Sequence, residues 1–277
     1  MSKFNSLFTR ISGLMHGVIE ENIFFLHIPK CGGQSIDKAI RTRYQSFIPG
    51  KSSNIASLDP IASANAANII NKINFPHDTS DDYPIQKLRE DLLIYFMNQK
   101  NIKFVSGHFT FSQLCFNNYS NKFKFITVLR DPVQRLISIY FFNKNKADHH
   151  CRITDDDIEA FLSSERGISQ GHAYVKFIGG LDSKNDYISR TAIDRAKMNL
   201  DKFEIVGGLE YLDKFLDRFE DKFRVRLNVQ HLNKNPKSKQ IINSVITEEI
   251  KDKIREICKP DLEIYQYAVE KFAGNDS

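Results

Sequence analysis

Two short apolar runs, each followed by a polar loop and then by a segment with helical spacing, constrain the fold of this chain more than any other feature. The first run is IFFLHI at residues 23–28, and the loop PKCGGQS leads from it into the helical pattern of residues 36–44. The second is FKFITVL at residues 123–129, which passes through Arg-Asp-Pro into another amphipathic segment. Strands that alternate with helices predict an α/β fold in three layers, with a mainly parallel central sheet flanked by helices.

The rest of the chain fits one domain over residues 1–277, with its core at about 22–272. A short strand is predicted to end at Gly107–His108, and FEIVGG at 203–208 predicts another. Residues 46–84 are rich in Ser, Asn, Asp and Pro, which predicts a variable surface excursion. Further helices are predicted at about 60–73, 85–99, 155–164, 190–200, 209–222 and 248–272.

Composition excludes several classes of protein. Hydrophobic residues make up 41% of the 277, enough for one substantial core, and the net charge of +5 favours anionic ligands without naming one. No apolar stretch near the N-terminus approaches the roughly 20 residues of a membrane span, and no signal peptide is visible, so we expect a soluble chain. Four scattered cysteines argue against a disulfide framework and for a reducing compartment: Cys31, Cys115, Cys151 and Cys258.

The loop after the first strand has the chemistry of an anion site. Gly32 and Gly33 let the backbone approach a ligand closely, and the N-terminus of the following helix offers N–H groups with a partial positive charge. Lys30 adds a mobile cation, and Ser35 adds a hydroxyl in the first helical turn. Together these groups would hold a phosphate, although an ordinary glycine-containing turn between strand and helix explains the same residues.

The order of residues in this loop excludes two common phosphate chemistries. A Walker A loop has its lysine after the glycines, whereas Lys30 precedes them. A cysteine phosphatase needs an arginine six residues after its cysteine, and Asp37 stands there. A low-pKa thiolate at Cys31 is physically possible at a helix N-terminus, but no general base or arginine supports it as a nucleophile.

The loops after the two apolar strands resemble motifs of a known protein family. FFLHIPKCGGQSI at 24–36 is similar to the 5′-phosphosulfate loop of sulfotransferases that use 3′-phosphoadenosine-5′-phosphosulfate (PAPS). The branch it resembles contains the heparan-sulfate 2-O-sulfotransferases and bacterial carbohydrate sulfotransferases, with the pattern H-I-P-K-[TS]-G-G-T-S. FITVLRDPVQRLISIYFF at 125–142 resembles the 3′-phosphate motif of the same family, and weaker similarity continues at 206–216 and 261–268.

The resemblance implies a P-loop-like fold, PAPS as donor, 3′,5′-adenosine bisphosphate as product and no required metal. It assigns Lys30 to catalysis and to donor binding, and Arg130 with Ser138 to the 3′-phosphate. Cys31 stands where the family has Thr or Ser and Gln34 where it has Thr, which we expect to tune activity and not to abolish it. The remaining donor contacts that it implies are Cys31, Gly32, Gly33, Gln34 and Ser35.

His108 is predicted to lie at the same edge of the sheet as both loops, because VSGHF places it at the end of a strand. The matching histidine of the family is the general base toward the acceptor hydroxyl, a role that suits imidazole. A histidine hydrogen-bonded at the sheet edge is the other interpretation. His27 is interpreted as structural, and Arg135 as either a phosphate ligand or part of a solvated face.

Two other patterns are given structural interpretations. His149, His150 and Cys151 precede the aspartates 155–157, and the aspartates are read as a helix N-terminus and not as a metal site. Residues 222–239 carry six cations and no acid, which indicates a solvated basic face or a contact for an anionic acceptor. No zinc finger, RNA-recognition signature or tryptophan supports nucleic acid as a partner.

The sequence therefore predicts an enzyme that moves a sulfuryl group from PAPS to a hydroxyl, which we expect on a saccharide or polysaccharide, by in-line displacement. The alternatives are an ATP-dependent small-molecule kinase of P-loop-like fold and a non-catalytic relative that binds nucleotide or glycan. Loops at 46–84, 143–170 and 228–243 are expected to set the acceptor. Eukaryotic members of the resembling branch are membrane-associated in the Golgi, whereas here we expect a cytoplasmic bacterial enzyme.

Overall fold

The computed structural model describes residues 19–44, 54–72, 83–144, 157–180, 186–230, 242 and 244–272. Its strands are β1 Asn22–Leu26, β2 Ile55–Ser57, β3 Phe104–Gly107, β4 Phe123–Leu129 and β5 Ile205–Gly208. Its helices are α1 Gly33–Tyr44, α2 Pro60–Asn71, α3 Tyr83–Asn98, α4 Gln113–Tyr119, α5 Pro132–Lys144, α6 Ile158–Ser163, α7 Glu165–Gly171, α8 Ala173–Gly179, α9 Arg190–Leu200, α10 Leu212–Phe223, α11 Glu248–Ile257 and α12 Lys259–Phe272, with a 3₁₀ turn at Leu209–Tyr211.

All five strands run parallel in one sheet, in the order β2-β3-β1-β4-β5. The central strand β1 pairs on both sides, so that Phe24 lies between Val105 of β3 and Phe125 of β4. This confirms the predicted α/β fold with a parallel sheet. Because parallel strands end at the same edge, the loops after β1, β3 and β4 are brought together.

Helices cover both faces of the sheet, and the alternation of side chains along β1 shows why. Phe24 and Leu26 belong to the apolar core on one face, which α3, α4, α8, α9 and α12 cover. Ile23 and Phe25 point to the other face, where α1 and α10 pack. A strand that is buried on both sides reads as a continuous apolar run, the signal that predicted it.

A third apolar cluster lies among helices. Leu136 of α5 packs with Phe161 of α6 and Ile254 of α11, all nearly or fully buried. This cluster fixes α5, the helix that begins just after the candidate arginine loop.

The structure corrects several predicted elements. Residues 55–57 form β2, an edge strand beside β3, so the predicted excursion at 46–84 contains part of the sheet. The single helix predicted at 248–272 is two helices that meet at Cys258, just before Pro260. Three short helices, α4, α7 and α8, were not predicted at all.

Two further expectations concern membranes and thiols. None of the described helices is long and apolar enough to cross a membrane. Cys31, Cys115 and Cys258 are buried free thiols, whereas Cys151 lies outside the described residues.

Candidate active site

The loop after β1 has an unusual backbone. Lys30 and Gly32 both have left-handed conformations, with φ of 68° and 74°. Glycine adopts this conformation at little cost, but a lysine there is strained and is held by its surroundings. Ser35 N donates to Gly32 O at 3.3 Å as α1 begins, and the first turn of α1 contains no acidic residue. The loop thus presents the positive end of a 12-residue helix beside a lysine.

Gly33 is required for packing at the start of α1. A Cβ atom there would lie 2.1 Å from Cδ2 of His27, so only glycine lets the imidazole ring lie against the helix. The ring of His27 lies 4.7 Å, centroid to centroid, from that of His108. Burial lowers the pKa of His27 to about 3, so this ring is neutral and structural, as the sequence predicted.

Lys30 reaches across to α5. Its Nζ lies 3.7 Å from the centroid of the Phe142 ring, a cation–π contact. Phe142 stands one helical turn after Ser138 on the same helix. The ammonium group therefore lies between its own loop and the helix that carries the second motif.

Arg130 lies directly after β4 and contacts the first loop. Its Nη1 donates to the carbonyl oxygen of Lys30 at 3.3 Å. Asp131 caps α5, because its Oδ1 accepts from Gln134 N at 2.8 Å. Within the described part of the chain, no ion pair joins Arg130 to Asp131. The two predicted anion-binding motifs are thus in direct contact, through the arginine that was predicted to read a phosphate.

The polar side chains around these cations are accessible to different degrees. Ser138 is half-buried on the second turn of α5, and Ser35 is half-buried on the first turn of α1. Gln34 is exposed at the start of α1. Of the predicted donor ligands, Lys30 and Arg130 are joined by a hydrogen bond, while these three side chains line the helix starts around them.

Cys31 points into the protein and not toward a ligand. Its side chain is 1% exposed, and its Sγ lies 3.5 Å from the hydroxyl oxygen of Tyr174. Burial raises the pKa of the Cys31 thiol to about 11, so the low-pKa thiolate considered from the sequence is wrong. Only the backbone of Cys31 remains for a ligand.

His108 follows β3 at the same edge of the sheet. Its Nδ1 lies 2.6 Å from the carbonyl oxygen of His27. Since a carbonyl oxygen only accepts, Nδ1 carries the proton and Nε2 presents a lone pair. Burial, assisted by the charge of Arg89, lowers the pKa of His108 to about 4, which keeps the ring neutral near pH 7. This is the tautomer and the charge state that a general base needs.

The comparison with known proteins decides the family. The model of the Sulfotransferase family matches residues 19–268, nearly the whole chain. The chain belongs to the sulfotransferase family. Both motifs and His108 lie within the matched range.

Two solved structures of other sulfotransferases are also similar to this chain. One is the crystal structure of mouse SULT7A1 complexed with PAP, which is 13% identical in sequence and has a TM-score of 0.39. The match covers 97% of this chain and 90% of the SULT7A1 chain. The sulfotransferase from Alicyclobacillus acidocaldarius is 15% identical over 90% of this chain and 100% of its own, with a TM-score of 0.34. No curated protein sequence matches the chain.

Arg89 is a buried residue of the sulfotransferase that sequence reasoning missed. Its guanidinium donates to the carbonyl oxygens of His108 at 3.2 Å and Pro60 at 3.0 Å, and to Ser63 Oγ at 3.1 Å. It thereby joins the chain after β3 to the start of α2. The sequence does contain a signal for its burial, because Arg89 is four residues from both Ile85 and Leu93. This spacing places all three on the same, buried face of α3.

Arg135 and Asp261 are charged residues in the interior of the sulfotransferase. Both side chains are 0% exposed, so the interpretation of Arg135 as part of a solvated face is wrong. The Arg135 guanidinium donates to Gln170 O, while its Nε and Nη1 have no hydrogen-bond partner among the described residues. Burial raises the pKa of Asp261 to about 7, against the opposing effect of the Arg135 charge.

The remaining predicted features of the sulfotransferase are only partly covered. Asp157 caps α6, as expected of the acidic run, but residues 149–156 lie outside the described residues. In the basic segment, Lys222 pairs with Glu204 and Arg226 with Glu220, while residues 231–241 also lie outside them. The described part of the chain contains no cluster of three metal-ligating side chains.

Proposed function

We propose that the protein transfers a sulfuryl group from PAPS to a hydroxyl of a saccharide, with His108 as general base. The observation that carries this proposal is the hydrogen bond from Arg130 Nη1 to Lys30 O at 3.3 Å. It joins two separate anion-binding loops at the carboxyl ends of adjacent strands. A ligand with phosphate groups at two positions fits such a pair better than a ligand with one.

The residues present fit the donor. Lys30 and Arg130 supply two cations, the start of α1 supplies N–H groups, and Gly32 gives the loop its left-handed turn before the helix. PAPS, when bound, supplies a sulfuryl group on a phosphate leaving group. The residues that would hold it are Lys30, the backbone of Cys31, Gly32 and Gly33, the side chains of Gln34 and Ser35, and Arg130 with Ser138.

The reaction follows from the charge states of these side chains. His108 Nε2 accepts the proton of the acceptor hydroxyl as the oxygen attacks in line. The ammonium group of Lys30 and the N–H groups at the start of α1 stabilise the negative charge that develops on the leaving phosphate. Since His108 Nδ1 donates to His27 O, the ring keeps its orientation while Nε2 takes the proton.

The acceptor is proposed from the resemblance to the heparan-sulfate 2-O-sulfotransferase branch. We infer that residues 54–72 contact the acceptor, and the support for this is that Arg89 joins the start of α2 to the backbone of His108. We place the enzyme in the cytoplasm, a compartment that suits the free thiols of Cys31, Cys115 and Cys258.

Calorimetric titration tests the donor site. We expect wild-type protein to bind 3′,5′-adenosine bisphosphate at least about tenfold more tightly than AMP or ATP with Mg²⁺, since only the bisphosphate places phosphates on both loops. Arg130→Ala should bring the bisphosphate down to the affinity of AMP. His108→Ala is the matched control: it should bind the bisphosphate like wild type and lose transfer.

Three results would contradict the proposal. They are a preference for ATP, unchanged bisphosphate binding by Arg130→Ala, and full transfer activity of His108→Ala. The first would favour the kinase alternative. Wild-type protein that binds the bisphosphate but transfers nothing from PAPS to any saccharide would favour the non-catalytic one.

A further inference from the structure

Tyr174 lies where the two donor-binding loops meet. It is the second residue of α8 and is 0% exposed. Along the sequence it is 143 positions from Cys31 and 44 from Arg130, yet its hydroxyl contacts both. No feature of the donor motifs points to it.

The hydroxyl of Tyr174 makes its polar contacts with these two loops. It donates to the carbonyl oxygen of Arg130 and accepts from the N–H of the same residue at 2.8 Å. Cys31 Sγ lies 3.5 Å from the same oxygen. A phenol has one proton and two lone pairs, so the hydroxyl that donates to Arg130 O and accepts from Arg130 N keeps one lone pair, on the oxygen that Cys31 contacts.

Arg130 needs such a partner because it stands between two regular elements. β4 ends at Leu129 and α5 begins at Pro132, so neither the sheet nor the helix pairs the peptide groups of Arg130. Tyr174 pairs both of them, and this fixes the backbone from which the guanidinium extends to Lys30 O. The orientation of the arginine is therefore set by a residue from another part of the chain.

Tyr174 is itself fixed from the other side. Its N–H lies 2.9 and 2.8 Å from the two carboxylate oxygens of Asp261, which also accept from Val175 N at 3.1 Å. The Arg135 guanidinium lies 5.8 Å from the centroid of the Tyr174 ring. The backbone of Tyr174 is thus anchored to α12, which carries neither of the two loops.

We propose that Tyr174 is a positioning residue for the donor, whose hydroxyl fixes the spacing between the loop after β1 and the arginine after β4. The inference rests on the proposed function, because that spacing matters only for a ligand that contacts both loops. A ligand with a single phosphate needs one loop, whereas the bisphosphate needs both at the correct separation.

The test is titration of Tyr174→Phe with 3′,5′-adenosine bisphosphate and with AMP. Removing the hydroxyl leaves two buried peptide groups unpaired, so we expect bisphosphate affinity to fall about tenfold. AMP affinity should change less than about twofold, since AMP does not depend on the spacing. The preference for the bisphosphate should therefore fall. Tyr44→Phe is the control, because Tyr44 is also buried and its hydroxyl donates to Glu21 O at 2.5 Å, away from both loops.

A second variant keeps the test decisive if Tyr174→Phe folds poorly. Cys31→Ala removes the contact from the side of the first loop and leaves the peptide groups of Arg130 paired. Like Tyr174→Phe, it should lower the preference for the bisphosphate over AMP, here by about two- to threefold. This is the effect expected from the loss of one weak hydrogen bond.

The outcomes separate this inference from the proposed function. Wild-type protein without a bisphosphate preference would overturn the donor assignment itself. Wild-type preference that survives in both Tyr174→Phe and Cys31→Ala would overturn only the role of Tyr174. An equal loss of affinity for AMP and for the bisphosphate would also overturn it, because that pattern marks general damage to the fold.

Discussion

At the scale of the residue, His108 shows how a backbone contact sets side-chain chemistry. The carbonyl oxygen of His27 selects the tautomer by accepting from Nδ1, and burial keeps the ring uncharged. A base with a pKa of about 4 is weak, but it is available throughout the neutral range. In the proposed reaction, the proton that His108 receives is stabilised by the same contact with His27 O.

The pH dependence of kcat/KM follows from this pKa. In the proposed mechanism His108 acts in its neutral form, which predominates above its pKa, so activity should be lost only as the pH falls toward about 4. An exposed histidine would instead lose activity through about pH 6.5. The measurement is kcat/KM from pH 4 to 8, with circular dichroism at each pH to show that the protein stays folded. An acid limb centred near pH 6.5 would contradict the assignment.

The residues that could be predicted are those with a local signal. Lys30, His108 and Arg130 each follow an apolar strand, and a strand end is visible in the sequence. Tyr174 and Asp261 meet only because α8 and α12 pack together. No pattern along the chain encodes that contact, so one sequence could not reveal it.

At the scale of the element, the start of α5 combines a helix cap with Arg130, the proposed ligand of the 3′-phosphate. Asp131 caps the helix through Gln134 N, and its own N–H donates to Glu210 Oε1 at 3.1 Å. The preceding residue is Arg130. The cap therefore fixes both the first turn of α5 and the backbone next to the arginine.

We expect Asp131→Ala to lower the free energy of unfolding by about 1 kcal/mol, the usual cost of a lost N-cap. It should also weaken bisphosphate binding, because the backbone at Arg130 loses its support. Urea unfolding followed by circular dichroism measures the first effect, and calorimetry measures the second.

Asp157→Ala is the matched control for this experiment. Asp157 caps α6 through Glu159 N at 3.0 Å and contacts neither donor loop. Its replacement should lower stability by a similar or smaller amount and leave ligand affinity unchanged. Equal affinities of the two variants would show that the cap of α5 has no part in the site.

Most elements were predicted because they are amphipathic or apolar over their whole length. FKFITVL predicted β4 at its observed bounds, and the pattern of residues 190–200 predicted α9. β2 has only three residues, and its pairing with β3 decides its structure more than its composition does. The helix break at Cys258 depends on how α11 and α12 pack, which a periodic pattern does not show.

At the scale of the whole molecule, Arg135 places a charge in the interior. It extends from α5 to the carbonyl of Gln170 on α7 and affects the carboxylate of Asp261 on α12. Three helices from distant parts of the chain thus surround one guanidinium. Burying this charge is costly, and the hydrogen bond to Gln170 O and the opposite charge of Asp261 offset part of that cost.

Arg135→Met should therefore lower the free energy of unfolding by about 1–3 kcal/mol, since it removes the hydrogen bond to Gln170 O and the positive charge that opposes the effect of burial on Asp261. The measurement is urea unfolding at pH 7.5. Arg190→Met is the control, because Arg190 is an exposed arginine that pairs with Asp194 and Glu263. A loss for Arg135→Met no larger than that of the control would contradict this role.

The order of the strands also affects how the protein is made. β1 is synthesised early, but β3 is the first of its partner strands along the chain. Phe104 of β3, which pairs with Ile23 of β1, follows it by 81 positions. At 5–20 residues per second, a ribosome needs about 4–16 s to reach that point. During this interval the apolar strand that becomes the centre of the sheet has no neighbour. We therefore expect slow folding from this non-local pairing, with the apolar strand open to aggregation until β3 has been synthesised.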